Sequence, residues 1–208
     1  MDISMASLKG GVGKTTSAVH LAAYLQQMGQ TILIDSDKNE SALTWSGHGK
    51  LPFQTCSLEG ATKAIRNAEH VVIDTQARPT PQDLKGIAEG CDLLILPATP
   101  KALDLDALLK TTEMLDSLSA RYKVLLTMVP PHRRRPGTNT PEPHLKERQA
   151  RKLLDSADIP TFDTSIPSYT AFERCPLLGV TVQNYDDKYS KSAWNCYEKV
   201  GEEIISHA

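Results

Sequence analysis

The segment Leu8-Lys9-Gly10-Gly11-Val12-Gly13-Lys14-Thr15-Thr16 carries most of the chemistry legible in this chain. Glycines at 10, 11 and 13 leave backbone N–H groups free to turn inward around an anion, because no side chain blocks the approach. An apolar run precedes the loop and a helical pattern starts near Lys14, so the positive end of that helix faces the same anion. The Lys14 ammonium is placed to bridge the β- and γ-phosphates of a nucleoside triphosphate. The Thr15 hydroxyl is placed to ligate magnesium. The commoner form of such a loop has glycine five residues before Gly13; here that position is Leu8, and a lysine, Lys9, follows it.

Carboxylates sit at two strand ends further along. Thr31–Ile34 runs into Asp35-Ser36-Asp37, and Val71-Val72-Ile73 runs into Asp74-Thr75. In open α/β sheets, ligands sit outside the carboxyl ends of strands, where such residues can reach them. Phosphoryl transfer needs positioning and charge stabilisation, so one carboxylate near the γ-phosphate can suffice. Taken alone, Asp35 or Asp37 is equally a helix cap or a turn residue.

The box Lys9-Gly-Gly-Val-Gly-Lys14-Thr-Thr resembles the deviant Walker A motif of the ParA/MinD family of ATPases. Ile34-Asp35-Ser36-Asp37 resembles that family's Asp-x-Asp element, Val71–Thr75 its Walker B strand, and Lys191–Val200 its closing helix. The likeness runs nearly end to end. It implies an ATP site formed by Lys9, Gly10, Gly11, Val12, Gly13, Lys14, Thr15 and Thr16, with Lys9 reaching across a dimer interface to the partner's nucleotide. It implies Lys9, Lys14 and Asp37 as the catalytic residues, with Asp37 positioning the attacking water. It gives magnesium to Thr15, Asp35 and Asp74, the last through water. Met128-Val129-Pro130 and Ile166-Pro167-Ser168 leave strand ends where family members contact adenine, which points to Met128, Pro130 and Pro167. Proline there is equally a plain strand terminator. After Asp74 the family usually carries prolines or small residues, whereas this chain reads Gln76-Ala77-Arg78-Pro79.

Within that family the chain resembles the small ParA-like proteins, of the plasmid-partition ParA/ParF type or the carboxysome-positioning McdA type. That likeness implies a homodimer with ATP sandwiched at the interface, slow partner-stimulated hydrolysis, nonspecific DNA binding, and a ParB-like or McdB-like adaptor. Arg133, Arg134 and Arg135 form one candidate DNA contact. Arg148, Arg151 and Lys152, spaced i, i+3, i+4 on a helix from about Glu142, form another, or else a solvated helix face. A MinD-like membrane switch requires a C-terminal amphipathic helix with basic flanks. The tail Gly-Glu-Glu-Ile-Ile-Ser-His-Ala is acidic and short. A relative of the nitrogenase iron protein needs two cysteines per subunit at its cluster, and only Cys91 lies near a strand edge. A metabolic ATP-dependent ligase of the same fold has no need of Lys9 in trans.

Positioning these groups requires a sheet with loops on one edge. Besides the runs already named, Asp2–Ser7, Leu93–Leu96 (stopped by Pro97), Val124–Met128 (stopped by Pro130) and Pro160–Thr164 read as strands. Lys14–Met28, Ala102–Leu118 and about Asp186–Ser206 read as helices. The apolar runs are short and continuous, as in strands buried on both faces by helices. Alternation of strand and helix implies parallel pairing and right-handed crossovers. The expected fold is a single α/β domain over 1–208, a doubly wound and mostly parallel sheet with helices on both faces. Pro130–Pro143 holds five prolines and the arginine run, and reads as an exposed loop.

The 208 residues carry a net charge of −2, so any nucleic-acid contact must come from a local patch. Four widely spaced cysteines read as reduced thiols. No apolar run approaches the roughly 18 residues of a membrane span. Met1-Asp2-Ile3-Ser4 lacks the basic start of an export signal. The expected location is cytoplasmic and on the nucleoid, with no membrane partner.

Overall fold

Every strand-like run that ends on a functional residue lies in one sheet of the computed structural model, which describes residues 1–131, 133–134 and 141–206. Its strands are β1 (Asp2–Ser7), β2 (Thr31–Asp35), β3 (Gln54–Ser57), β4 (His70–Ala77), β5 (Leu93–Ala98) and β6 (Tyr122–Leu126). They pair in the order β3-β2-β4-β1-β5-β6, all parallel. The helices are α1 (Lys14–Leu25), α2 (Ser41–Ser46), α3 (Ala61–Ala64), α4 (Pro81–Glu89), α5 (Ala102–Ser117), α6 (Leu145–Ser156), α7 (Thr170–Leu178) and α8 (Ser190–Ser206).

Alternate strand residues feed cores on both faces of the sheet, which is why the runs show no polar alternation. Ile3, Met5, Leu33, Val72, Ile95 and Leu125 pack under α1, α2, α7 and α8. Leu94, Leu96, Ala98, Val124 and Leu126 pack under α4, α5 and α6. The stripe Ala193, Tyr197, Val200 and Ile204, with Trp194 beside it, is buried as its spacing predicts.

Several boundaries differ from expectation. α1 stops at Leu25, not Met28, because the amides of Gln27 and Met28 bond three residues back and tighten the last turn. Pro97 does not stop β5; it pairs with Leu125 inside the strand. Leu94 N–H donates to Arg121 O, so by alternation the missing amide of Pro97 faces the β1 side, whose pairing ends at Ile95. In the proline-rich loop, β7 (Arg133–Arg134) pairs antiparallel with β8 (Pro141–Glu142), a regular element that the composition did not predict. Pro141 opens its strand, where a proline is tolerated. The strand expected at Pro160–Thr164 reduces to a bridge between Val124 and Thr161. α6 begins at Leu145, capped by the His144 ring, and α8 begins at Ser190.

Candidate nucleotide site

The glycine loop leaves β1 in the middle of the sheet and enters α1 with Gly13 as its N-cap. Gly11 has φ 72 and Gly13 φ 88, left-handed values that a side chain would strain. A Cβ at Gly11 would meet no atom within 4 Å, so its surroundings leave room for a ligand close to the backbone. Val12 is buried, and its carbonyl accepts the Thr127 hydroxyl at 2.7 Å, which ties the loop to the end of β6. Lys9 is half-buried, with its N–H on Ser7 Oγ at 3.1 Å. Gly10 is exposed, Thr15 and Thr16 are half-buried, and Lys14 is 8% exposed.

β4 and β2 bring the carboxylates under this loop, with Asp35 and Asp74 as direct register partners. Asp74 is fully buried. Thr15 Oγ1 donates to its Oδ2 at 2.5 Å, while Oδ1 is buried without a hydrogen-bond partner. Burial pushes the Asp74 carboxyl up to about 6; the Thr15 hydrogen bond and the Lys14 charge oppose this, and Asp35 and Asp37 reinforce it. A hydroxyl beside an unsatisfied carboxylate oxygen is a hard-oxygen pair that fits magnesium. The residues present therefore suit the metal assigned to Thr15 and Asp74.

Asp35 does not join them. Its Oδ1 accepts Asp37 N–H at 3.1 Å, and its Oδ2 accepts Ala42 N–H at 2.8 Å and Leu43 N–H at 3.0 Å. Both oxygens of the side chain bond amides at or just before the start of α2, so Asp35 anchors that helix in this structure. Asp37 stands half-buried in the turn that follows, with Oδ1 accepting both N–H and Nδ2 of Asn39 at 2.9 Å.

Beyond Gly13 and Thr16 lies a cavity of about 70 Å³ lined also by Met128, Pro167, Tyr169, Phe172 and Tyr197. Two of the three candidate adenine contacts, Met128 and Pro167, are thus brought beside the phosphate loop, through the bridge between Val129 and Pro167. Pro130 does not line this cavity. The aromatic wall escaped sequence reasoning because α7 and α8 are remote in the chain. His20 anchors it: Nδ1–H donates to Thr16 O at 2.7 Å and Nε2 accepts Val182 N–H at 3.1 Å. That pair fixes the neutral tautomer, and burial lowers the ring's pKa to about 4. The imidazole stacks on Tyr197 at 4.7 Å, with Phe172 and Trp45 edge-on.

The two basic clusters fare differently. Arg135 lies outside the described residues, and of Arg133 and Arg134 the structure describes the backbone pairing with β8. Arg148 and Lys152 are exposed on α6. Arg151 is not available to DNA: its guanidinium donates to Phe162 O at 3.0 Å, Asp163 O at 2.7 Å and buried Glu147 at 3.3 Å.

Residues 3–182 match the family model for the CobQ/CobB/MinD/ParA nucleotide binding domain. The chain belongs to this family. Within the CobQ/CobB/MinD/ParA family it is 32% identical over 206 residues to the maintenance of carboxysome distribution protein A of Gloeobacter kilaueensis, covering 94% of this chain and 90% of that protein. A putative plasmid partition protein from Borrelia burgdorferi, solved with AMPPNP, superposes with a TM-score of 0.74 at 18% identity over 100% of this chain and 99% of that one. An ATP complex of a Cyanothece McdA variant superposes with a TM-score of 0.74 at 16% identity, covering 99% and 95%. These two structural likenesses are likenesses of fold. The six-stranded parallel sheet of this chain, with the phosphate loop after its inner strand β1, thus shares the fold of these two proteins.

Proposed function

We propose that the chain is an ATP-driven dimerising switch that positions a cargo on nonspecific DNA with the help of an adaptor protein. The observation that carries this reading is the paired geometry at the loop. A left-handed glycine cradle holds Lys14 and Thr15, and Thr15 is hydrogen-bonded to a buried aspartate with one unsatisfied oxygen. Magnesium supplies charge neutralisation of the phosphates when bound, and Thr15 and Asp74 would hold it. Lys14 binds the β- and γ-phosphates. Asp37 orients the attacking water, and Lys9 engages the nucleotide of the facing subunit. Two subunits closed over two triphosphates gain the favourable contact of each ammonium with the other's anion.

DNA binding would follow dimerisation because affinity rises steeply with the number of phosphates neutralised. Arg148 and Lys152 of each subunit, with the arginines at 133–135, supply cations for it. The relatives named above are a carboxysome distribution protein and a plasmid partition protein, so the cargo is read as a protein compartment or a DNA locus, and the adaptor as McdB-like or ParB-like. The site of action would be the nucleoid. No described helix is long and apolar enough to cross a membrane.

Three variants test the switch. Lys14→Ala should lose ATP binding. Lys9→Ala should bind ATP but stay monomeric in sedimentation. Asp37→Ala should bind ATP, fail to turn it over and accumulate dimer. Normal turnover by Asp37→Ala would refute the assignment of the water-positioning residue.

A further inference from the structure

The chain past Asp74 runs through a fixed backbone path into a strained residue, Arg78. β4 continues past Asp74 through Thr75, Gln76 and Ala77. Thr75 Oγ1 donates to Met5 O at 2.6 Å, and a register shift between Met5 and Ser7 brings Ala77 opposite Ser7. Arg78 N–H then donates to Ser7 O at 3.0 Å. Immediately afterwards Pro79 is buried and Thr80 closes a capping box with Asp83 at the start of α4. Arg78 is therefore clamped by its backbone between two fixed points.

Within that clamp Arg78 has φ 58, a left-handed conformation that glycine adopts freely and other residues rarely do. Strain of this kind persists where surrounding structure enforces it, and it clusters at functional sites. The residue held there is long, cationic and exposed. Among the described residues none is a hydrogen-bond or ion-pair partner of its guanidinium. It stands at the carboxyl edge of the sheet and shares its anchor with Lys9: Ser7 accepts Arg78 N–H on its carbonyl and Lys9 N–H on its hydroxyl. Arg78 and Lys9 are thus anchored by their backbones on one and the same residue.

We propose that Arg78 acts in trans on the γ-phosphate of the partner's ATP, beside the partner-directed Lys9. Lys9 is a point charge that favours closure. The planar fork of Arg78 contacts the equatorial oxygens as the bond from the γ-phosphorus to the bridging oxygen breaks, water adds to phosphorus and passes one proton to a phosphoryl oxygen to give inorganic phosphate, and ADP leaves with the bond's electron pair. The inference rests on the dimer proposed above.

The test uses the full chain. Arg78→Ala should still bind ATP and dimerise by sedimentation, with single-turnover hydrolysis slowed about a hundredfold. Arg78→Gly, which removes the side chain and the strain together, should behave alike and guard against a folding defect. Arg78→Lys should recover only part of the rate. Mixing Arg78→Ala with Asp37→Ala gives heterodimers in which one site has both groups intact if Arg78 works across the interface. Activity should then return to roughly a quarter of wild type for random pairing. No recovery on mixing would place Arg78 outside the partner's site and overturn the proposal. So would wild-type turnover in Arg78→Ala, including the case in which only DNA retention is lost. A wild type that stays monomeric with ATP would instead bring down the dimer itself.

Discussion

Asp74→Asn should make the ligand-free protein more stable at neutral and alkaline pH. The buried carboxyl has its pKa raised from 3.8 to about 6, so the folded state holds this proton more tightly than the unfolded chain does. Stability is therefore lost as pH rises from about 4 to about 6, and the full loss remains above that window. A displacement of about two units corresponds to about 3 kcal/mol at pH 8. An asparagine carries no charge to desolvate, so the variant escapes the loss. In a domain of this size the gain should raise the midpoint of thermal unfolding by about 6–12 °C. The assay is unfolding in EDTA without nucleotide, by heat and by urea, at pH 8 and at pH 4.5. The gap between variant and wild type should be large at pH 8 and shrink to about a third of that at pH 4.5. Other titrating groups act on both proteins alike and cancel from the difference. Equal midpoints at pH 8, or a gain that does not shrink in acid, would refute the view that Asp74 is an uncompensated charge awaiting a cation.

Three further outcomes follow from named contacts. Burial lowers the pKa of His20 from 6.5 to about 4, so the stability present above pH 6.5 falls by about 3 kcal/mol as pH drops through that window; acid unfolding curves of His20→Phe should lack this loss. Asp35→Ala strands the amides of Asp37, Ala42 and Leu43 and should cost roughly 3 kcal/mol in urea unfolding, whereas Asp35→Asn, which keeps acceptor oxygen, should cost less. Arg148→Ala and Lys152→Ala should each lower the salt slope of DNA affinity by about 1, while Arg151→Ala should leave that slope alone and reduce stability, as seen in DNA titrations at several salt concentrations beside thermal melts.

The glycine loop was legible because its chemistry is backbone chemistry, and three glycines between a strand and a helix permit few other uses. Asp74 was legible for a related reason: an apolar run ending on a carboxylate has to place it at the sheet's carboxyl edge. Asp35 reads as a ligand in sequence; what the sequence does not show is that the tight turn into α2 puts three amides within its reach, so that local hydrogen bonding engages the side chain. For Arg151, helix spacing shows the face shared with Arg148 and Lys152 but not that the 162–163 carbonyls lie across from it. β3 escaped notice because an edge strand reading Gln-Thr-Cys-Ser has no apolar pattern. The aromatic wall of His20, Phe172 and Tyr197 is assembled from three distant segments, and no local periodicity announces it.

Both tryptophans of the chain belong to the core beneath the nucleotide site. Trp45 lies on α2, a few residues after Asp37, with its indole N–H on Val180 O at 3.0 Å and its ring edge against His20. Trp194 is buried on α8. The protein's intrinsic fluorescence therefore reports on one face of the sheet only. Stopped-flow emission can follow ligand-induced changes at that face without an attached dye.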